Sequence, residues 1–397
     1  MVQRILNIQK ILGSRASALL FGARGVGKTA LSRSFIEQLR EAGQPVMTYD
    51  LLHSETYERY LKEPHLLRLE VAGKIKPDGM LLVFIDEVQK VPPLLDEVHS
   101  LIETYKGNVR FLLSGSSARK LKRGGANLLA GRALTLHLHP LTSEEADMDL
   151  SRCLRLGSLP GIVFDNDAPE LSLKSYVSTY LKEEIQQEAH VRRIDAFARF
   201  LEVAAQYHGE PINASTIAKS AGVSSQTISE YFAILEDTLL GWRLPGWSAS
   251  THKQLRTTPK FYFFDNGVAN ALRGELGITL TERSGRYGKL FEAWVIQEMI
   301  RYNDYHNLDL KFSYWRTNSD LEVDVIASRG AGAPIAAIEI KSATSPETKE
   351  LVGLDRFQQD YPKAKRLCFC RTPKAFVHHS GVTCMPWQDG LKSLAEL

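Results

Sequence analysis

Cysteine is scarce: four in 397 residues (Cys153, Cys368, Cys370 and Cys384), with no CxxC pair and no histidines at zinc-ligand spacing. That argues against a disulfide scaffold and a zinc module, and predicts reduced, mostly buried thiols in a reducing compartment. Charge of one sign is also missing, since 49 lysines and arginines against 46 acidic residues leave a formal net charge of +3. So mild a surplus does not advertise nucleic-acid binding; any such contact has to come from local patches. Long hydrophobic runs are absent too. No stretch approaches the roughly 18 apolar residues of a membrane span, and Met1–Arg15 alternates apolar with basic and polar residues instead of forming a signal-peptide core. A cytoplasmic protein with no membrane contact is expected. What is present, 44% hydrophobic and 24% charged residues, is ordinary for a globular chain long enough for two or three domains.

Against that plain background one segment stands out. Gly22-Ala23-Arg24-Gly25-Val26-Gly27-Lys28-Thr29 follows the apolar run Ala18–Phe21 and leads through Ala30 into helix-forming sequence, which is the strand–GxxxxGK[ST]–helix arrangement. Glycines let backbone N–H groups close on phosphates, Lys28 brings a point charge to the β and γ groups, and Thr29 offers a hydroxyl to Mg²⁺. ATP and Mg²⁺ are therefore the expected ligands. Leu81–Ile85 reads as a strand buried on both faces, and it ends in Asp86-Glu87. At the carboxyl edge of a parallel sheet Asp86 is placed to hold the metal through its waters and Glu87 to polarise the attacking water. The plainer account of this pair is a cap on the next helix. A further strand, Val109–Leu113, delivers Ser114 and Ser116 to the same edge, either to sense the γ-phosphate or simply to turn the chain. Arg132, after Ala130-Gly131, is a candidate to reach the γ-phosphate in cis or from a neighbour.

Strands 18–21, 45–50, 81–85 and 109–114 alternate with helices 28–42, 55–75 and 94–106. The pattern predicts an α/β fold with a P-loop parallel sheet and helices on both faces over residues 1–140. The loop Arg119–Gly125 is basic and glycine-rich, either solvated or in contact with a phosphate backbone. Residues 141–255 read as a helical region, with a break at Pro160-Gly161. Within it Ala214–Glu236 forms two short helices joined by a turn at Gly222, with Ser224 as N-cap, which looks like a helix-turn-helix. Its second helix exposes Ser225, Gln226, Ser229 and Glu230. Its Gln and Ser residues can read base edges, yet no arginine or lysine stands beside them, so an interaction module is the competing account.

Residues 256–397 carry a second signature in an αβββαβ order. Glu292 lies in the first half of an amphipathic helix over 287–302; strands 311–316, 321–327, 335–341 and 365–370 and a helix near 346–360 follow. Asp324 sits among Val and Ile, and Glu339 and Lys341 share one strand face. That is the D…ExK arrangement in which two carboxylates hold Mg²⁺ and a lysine orients water for attack on a phosphodiester. The alternative is an internal ion-pair network that fixes the sheet without turnover.

Taken in order, these motifs resemble the bacterial and archaeal AAA-type P-loop ATPase family whose carboxy-terminal domain of unknown function has a restriction-endonuclease-like core. The resemblance covers nearly the whole chain. It rests on Gly22–Thr29, Phe84-Ile85-Asp86-Glu87, Leu113-Ser114-Gly115-Ser116, Ala130-Gly131-Arg132, Pro160-Gly161, Tyr180-Leu181-x-Glu183-Glu184-Ile185 and the helix-turn-helix. It continues through Phe261–Asp265-x-Gly267, Gly288-x-x-Phe291-Glu292, Trp315-Arg316, Glu322-Val323-Asp324 and Ile338-Glu339-Ile340-Lys341. One departure is Gly157-Ser158-Leu159 before Pro160-Gly161, where relatives tend to carry paired glycines. The resemblance implies ATP binding and hydrolysis, a winged-helix-like middle and a nuclease-like end. Three functions follow as alternatives: an ATPase coupling nucleotide state to DNA binding or remodelling, an ATP-dependent switch for a protein partner, and an ATP-gated Mg²⁺-dependent nuclease. An oligomer is compatible with each.

Overall fold

The computed structural model describes residues 2–13, 16–117, 129, 131–164, 167–181, 194–248, 258–330 and 332–397. The basic loop Arg119–Gly125, Ala130 and the Glu183-Glu184-Ile185 segment lie outside the described residues. Among the described residues the chain divides into two compact units, one built on residues up to Pro140 and on Asp237–Leu240, the other on 141–181, 194–236 and those of 241–397.

The first unit contains α1 (Ile8–Gly13), β1 (Ser17–Phe21), α2 (Lys28–Glu41), β2 (Val46–Asp50), α3 (Ser54–Lys62), α4 (His65–Ala72), β3 (Leu81–Asp86), α5 (Leu94–Thr104), β4 (Val109–Gly115) and β5 (Ala133–His137). The strands form one parallel sheet in the order β2-β3-β4-β1-β5, flanked by helices, as the alternating pattern predicts. Every residue of β1 and β3 is buried. Their unbroken apolar character follows from being covered on both faces. The helical stretch 55–75 is divided at Glu63-Pro64, because Pro64 lacks an N–H to continue the first helix and sits instead at the start of the second. Edge strand β5 is absent from the sequence reading. Leu134 is 46% exposed, so the strand lacks the buried run that identified its neighbours.

The second unit begins with α6 (Leu150–Leu156), α7 (Pro160–Phe164), α8 (Pro169–Ser175) and a π-helical turn over Tyr176–Leu181. Then come α9 (Ile194–Gln206), β6 (Glu210–Pro211), α10 (Ala214–Ala221), α11 (Ser225–Asp237), β7 (Gly241–Leu244) and β8 (Lys260–Phe263). The small antiparallel sheet β6-β8-β7 closes against the helices. An aromatic cluster of Phe197, Phe200, Tyr231, Phe232 and Phe261 fills the space between them, with ring centroids 4.7–5.4 Å apart. Next are α12 (Asn266–Leu272), α13 (Gly285–Tyr305), β9 (Leu310–Arg316), β10 (Glu322–Arg329), β11 (Pro334–Lys341), α14 (Val352–Asp360) and β12 (Lys365–Cys370). The chain closes with β13 (Phe376–Val377), β14 (Thr383–Pro386) and α15 (Trp387–Ser393). The sheet runs β13-β14-β12-β11-β10-β9, antiparallel from β9 to β11 and parallel through β11, β12 and β14. Neither β13 nor β14 is long enough to show a period of two, which is why the αβββαβ reading stops before them.

The glycine at 157, in the segment before Pro160-Gly161, has a local cause. Asp265 caps α12 by accepting from Val268 N (3.1 Å) and also accepts from Ser158 N (2.7 Å). A Cβ on Gly157, at φ +72°, would fall 1.9 Å from the Asp265 carboxylate, so the chain needs glycine there. Arg301 on α13, 1% exposed, ties the same region together through Leu141 O (3.2 Å), Ser158 Oγ (3.1 Å), Phe264 O (2.8 Å) and Glu298 (3.0 Å). Arg301→Met removes all four bonds and leaves Glu298 without its cation. The expected loss is about 3–5 kcal/mol in chemical denaturation; a change within 1 kcal/mol would show the pair to be dispensable.

His208 is buried with Nδ1 accepting from Phe263 N (3.0 Å) and Nε2 beside Asn266 Oδ1 (3.1 Å), which holds a neutral ring. Burial, reinforced by the Arg273 charge, pushes its pKa down to about 3. The unfolded chain therefore takes up this proton near pH 6.5 while the folded one refuses it. Stability contributed by the neutral ring is complete above pH 6.5 and falls by about 1.4 kcal/mol per pH unit below that value, until the ring protonates in the fold. Asp265 and Glu298 are raised by burial and act with the opposite sign. The difference in Tm between the protein and His208→Gln across pH 7 to 4 isolates the histidine: the native protein should lose more.

Candidate functional site

Strand register builds the site of the first unit. Phe21 pairs with Gly115 and with His137, and Asp50 with Asp86, so β1, β3 and β4 deliver Gly22, Asp86 and Ser114 to one carboxyl edge. The loop Gly22–Gly27 then turns into α2, with Gly25 at φ 83° and Gly27 at φ 97° as its N-cap. Both values lie in the left-handed region that a Cβ disfavours. Arg24, Gly25 and Ala30 are exposed, whereas Ala23 and Val26 are buried and anchor the loop. Arg4 adds a clamp that the motif does not contain: its guanidinium donates to Val26 O (2.8 Å) and His139 O (2.7 Å).

Lys28, 6% exposed, donates from Nζ to Gly22 O (2.8 Å) and Ala23 O (3.2 Å), folding its ammonium over the cradle. Thr29 Oγ1 donates to Asp86 Oδ2 (3.0 Å), and Ser114 Oγ donates to Asp86 Oδ1. Asp86 is 1% exposed, so these hydroxyls, with the open edge beyond them, are what offset its desolvation. A hydroxyl and a carboxylate in contact at the foot of a phosphate loop are the donor set that suits Mg²⁺. The residues present thus fit a magnesium-bound triphosphate.

Glu87 adopts φ 58°, ψ 46°, a left-handed conformation unusual for a side-chain-bearing residue. Its N–H donates to Ser114 Oγ (3.2 Å). Its carboxylate accepts from Gln89 Nε2, which also reaches Ser116 Oγ (3.0 Å). Ser114 and Ser116 therefore hold the acidic pair from the neighbouring strand, one directly and one through Gln89. Sequence reasoning missed Gln89 because a glutamine two residues beyond an acidic pair carries no motif of its own; only the approach of β4 gives it a partner. A cleft of about 270 Å³ opens next to Asp86, lined in part by Arg33, Arg40, Asp50 and His53.

The proposal that Arg132 reaches the γ-phosphate in cis needs correction. Ala133 pairs with Ser17 at the amino end of β1, so Arg132 lies at the opposite edge of the sheet from Gly22, and its guanidinium pairs with Glu103. Five strand residues at roughly 3.3 Å each separate the two edges.

In the second unit, Gly222 occupies the left-handed turn between α10 and α11, Asn213 Oδ1 caps Thr216 N (3.0 Å) and Ser224 Oγ caps Thr227 N (3.1 Å). Ser225, Gln226, Ser229 and Glu230 are exposed on α11. The other sequence-derived group also assembles. Asp324 Oδ2 accepts from Ile340 N (2.8 Å) and lies 3.6 Å from Lys341 Nζ, which also pairs with Glu339. Glu292 joins them from α13. Burial, then the Asp324 charge, raises the Glu339 pKa well above the carboxylate range, and burial likewise raises that of Glu292. Lys260 of β8, which the D…ExK pattern does not include, bridges Glu292 (3.3 Å) and Glu322 (2.5 Å).

Residues 14–146 match the model of an AAA domain. Residues 147–281 and 287–389 match two domains of unknown function, DUF8612 and DUF4143. An uncharacterized protein of Mycobacterium bovis and one of Mycobacterium tuberculosis are each 28% identical over 342 residues, 85% of this chain and 73% of the relative. One of Haemophilus influenzae is 23% identical over 369 residues, 87% of either chain. Partial structural likeness extends to Pif1 helicase from Candida albicans (TM-score 0.27, 14% identity, 45% of either chain). It extends also to AMPPCP-bound DnaA from Aquifex aeolicus (TM-score 0.27, 14% identity, 56% of this chain and 82% of that one). The chain thus spans less than half the length of the helicase. Sheet order, phosphate loop and family match together define the first unit as an AAA-type P-loop ATPase fold. Among the described residues no helix is long and apolar enough to cross a membrane, and all four cysteines are free and buried.

Proposed function

We propose that this chain hydrolyses ATP with Mg²⁺ and couples nucleotide state to DNA binding or remodelling, on branched or broken duplex among other forms. The observation that carries the ATPase part is the convergence of Thr29 and Ser114 hydroxyls on Asp86 beside the Lys28 cradle. When bound, the magnesium nucleotide supplies an electrophilic γ-phosphorus and the metal's positive charge. With the nucleotide bound, Lys28 and the loop N–H groups would bind and orient the phosphates, Thr29 and Asp86 would hold the metal, and Glu87 would accept a proton from the attacking water. Ser114 and Ser116 keep the acidic pair in register. In this reading residues 1–140 are the motor, 141–255 a helical and winged-helix-like region, and 256–397 a nuclease-like region in a cytoplasmic protein.

Gln89 is a positioning residue in this scheme. Gln89→Leu keeps the volume but removes both side-chain bonds, so kcat should fall by about tenfold with KM for ATP unchanged, the signature of an interaction that matters after binding. A raised KM with unaltered kcat would place Gln89 in ground-state binding instead.

Support for the DNA part is the exposed α11 face of the helix-turn-helix. Binding to single-stranded, duplex and four-way-junction DNA at low salt, with and without ATP, tests it: affinity that changes with nucleotide sustains the reading, and no affinity in any form removes it. A second reading, an ATP-dependent switch for a protein partner, is favoured by one observation. Ser225, Gln226, Ser229 and Glu230 carry no cation of their own, and the Arg243 guanidinium that reaches Ser229 O (3.4 Å) is paired with Glu236. Capture of a partner only in the ATP state, with no DNA affinity, would select it.

A further inference from the structure

The D…ExK pattern names one lysine, and the folded unit holds two among its carboxylates. Lys260 enters from β8, is 4% exposed, and its ammonium lies between Glu292 of α13 and Glu322 of β10, 5.5 Å from the Tyr314 ring centroid. Tyr262 OH donates to Glu292 Oε1 as well (3.2 Å). Lys341 serves Asp324 and Glu339. Four carboxylates are thus engaged by two ammonium groups, the Arg316 guanidinium (3.8 Å from Glu322), a phenol and the Ile340 N–H. A divalent cation needs carboxylate oxygens that converge on it and are free to coordinate. Among the described residues no group of three or more His, Cys, Asp or Glu side chains is placed to hold one.

We propose that Lys260 is a resident cation that takes up Glu292 and Glu322 as Lys341 takes up Asp324 and Glu339, so that this cluster is neutralised from within and is not a metal centre. The donor set therefore does not fit magnesium, and no cleavage step is derived through it. A buried ammonium between two carboxylates is retained only while both partners remain, because each would otherwise face an unpaired desolvated charge. One oxygen, Glu339 Oε2, is buried without a partner. The inference is independent of the ATPase reading, and its test needs no nucleotide.

The experiment is Mn²⁺ binding to the full chain without nucleotide, followed by the loss of the free-ion paramagnetic resonance signal. In the native protein, Asp324→Asn should leave the amount of bound Mn²⁺ unchanged. Lys260→Met should gain about one ion per chain, and adding Glu292→Gln to it should remove that ion. Native Mn²⁺ binding that disappears in Asp324→Asn overturns the proposal, as does a folded Lys260→Met that gains nothing. If Lys260→Met does not fold, Lys260→Gln replaces it, and the comparison of native protein with Asp324→Asn decides by itself whether a metal sits there.

Discussion

Lys28→Ala is expected to weaken ATP binding by at least about 100-fold, the loss of roughly 3 kcal/mol of charge-assisted contact. The side chain is buried over the loop and donates to two of its carbonyls, so the substitution also frees Gly22 O and Ala23 O in the absence of ligand. Two readouts follow. Calorimetry with Mg²⁺ and ATP should lose its binding heat, and amide exchange in the nucleotide-free protein should quicken across 22–27. Binding heat that survives would mean the phosphates are held elsewhere, and the first unit would lose its assigned ligand. Faster exchange with intact binding would assign the lysine a purely structural role.

Glu87→Gln separates binding from chemistry. The variant is nearly isosteric, keeps the backbone N–H that reaches Ser114, and leaves Asp86 with Thr29 and Ser114 untouched. ATP should bind with unchanged affinity while turnover falls by about 10²–10⁴-fold, the range that a positioned general base contributes. Single-turnover measurement with labelled ATP checks the chemical step directly. Retained hydrolysis would move water activation to another group. The left-handed backbone at Glu87 adds a further expectation: Glu87→Gly should relieve local strain and still be inactive, because the conformation serves to aim the carboxylate.

Much of this arrangement was legible from residue order. A glycine-rich loop after an apolar run, and an acidic pair after another, are local patterns whose geometry is dictated within a few residues. The buried strands β1, β3 and β4 were found for the same reason, since a strand covered on both faces must be apolar throughout. Edge strand β5 and the short β13 and β14 escaped because partial exposure or brevity erases that signal. Arg132 was misplaced for a related reason: without β5 there was no register to show which edge of the sheet it occupies.

Pairing with distant residues lay beyond the sequence altogether. Arg4 is 22 positions from Val26, Gln89 is 27 from Ser116 and Lys260 is 62 from Glu322, and none of the three belongs to a spacing that chemistry demands. By itself the sequence determined the α/β sheet, the phosphate cradle and the identity of the acidic pair, because those depend on contacts made within one strand, turn or helix. Only the tertiary structure decided that Gln89 links Glu87 to Ser116, that Arg132 faces away from the cradle, and that a second lysine sits among the carboxylates. The first two are set by which strands lie side by side and in what register, the third by how a strand of the small sheet packs on a helix and on the larger sheet, and burial of whole elements fixes both, not any local run of residues.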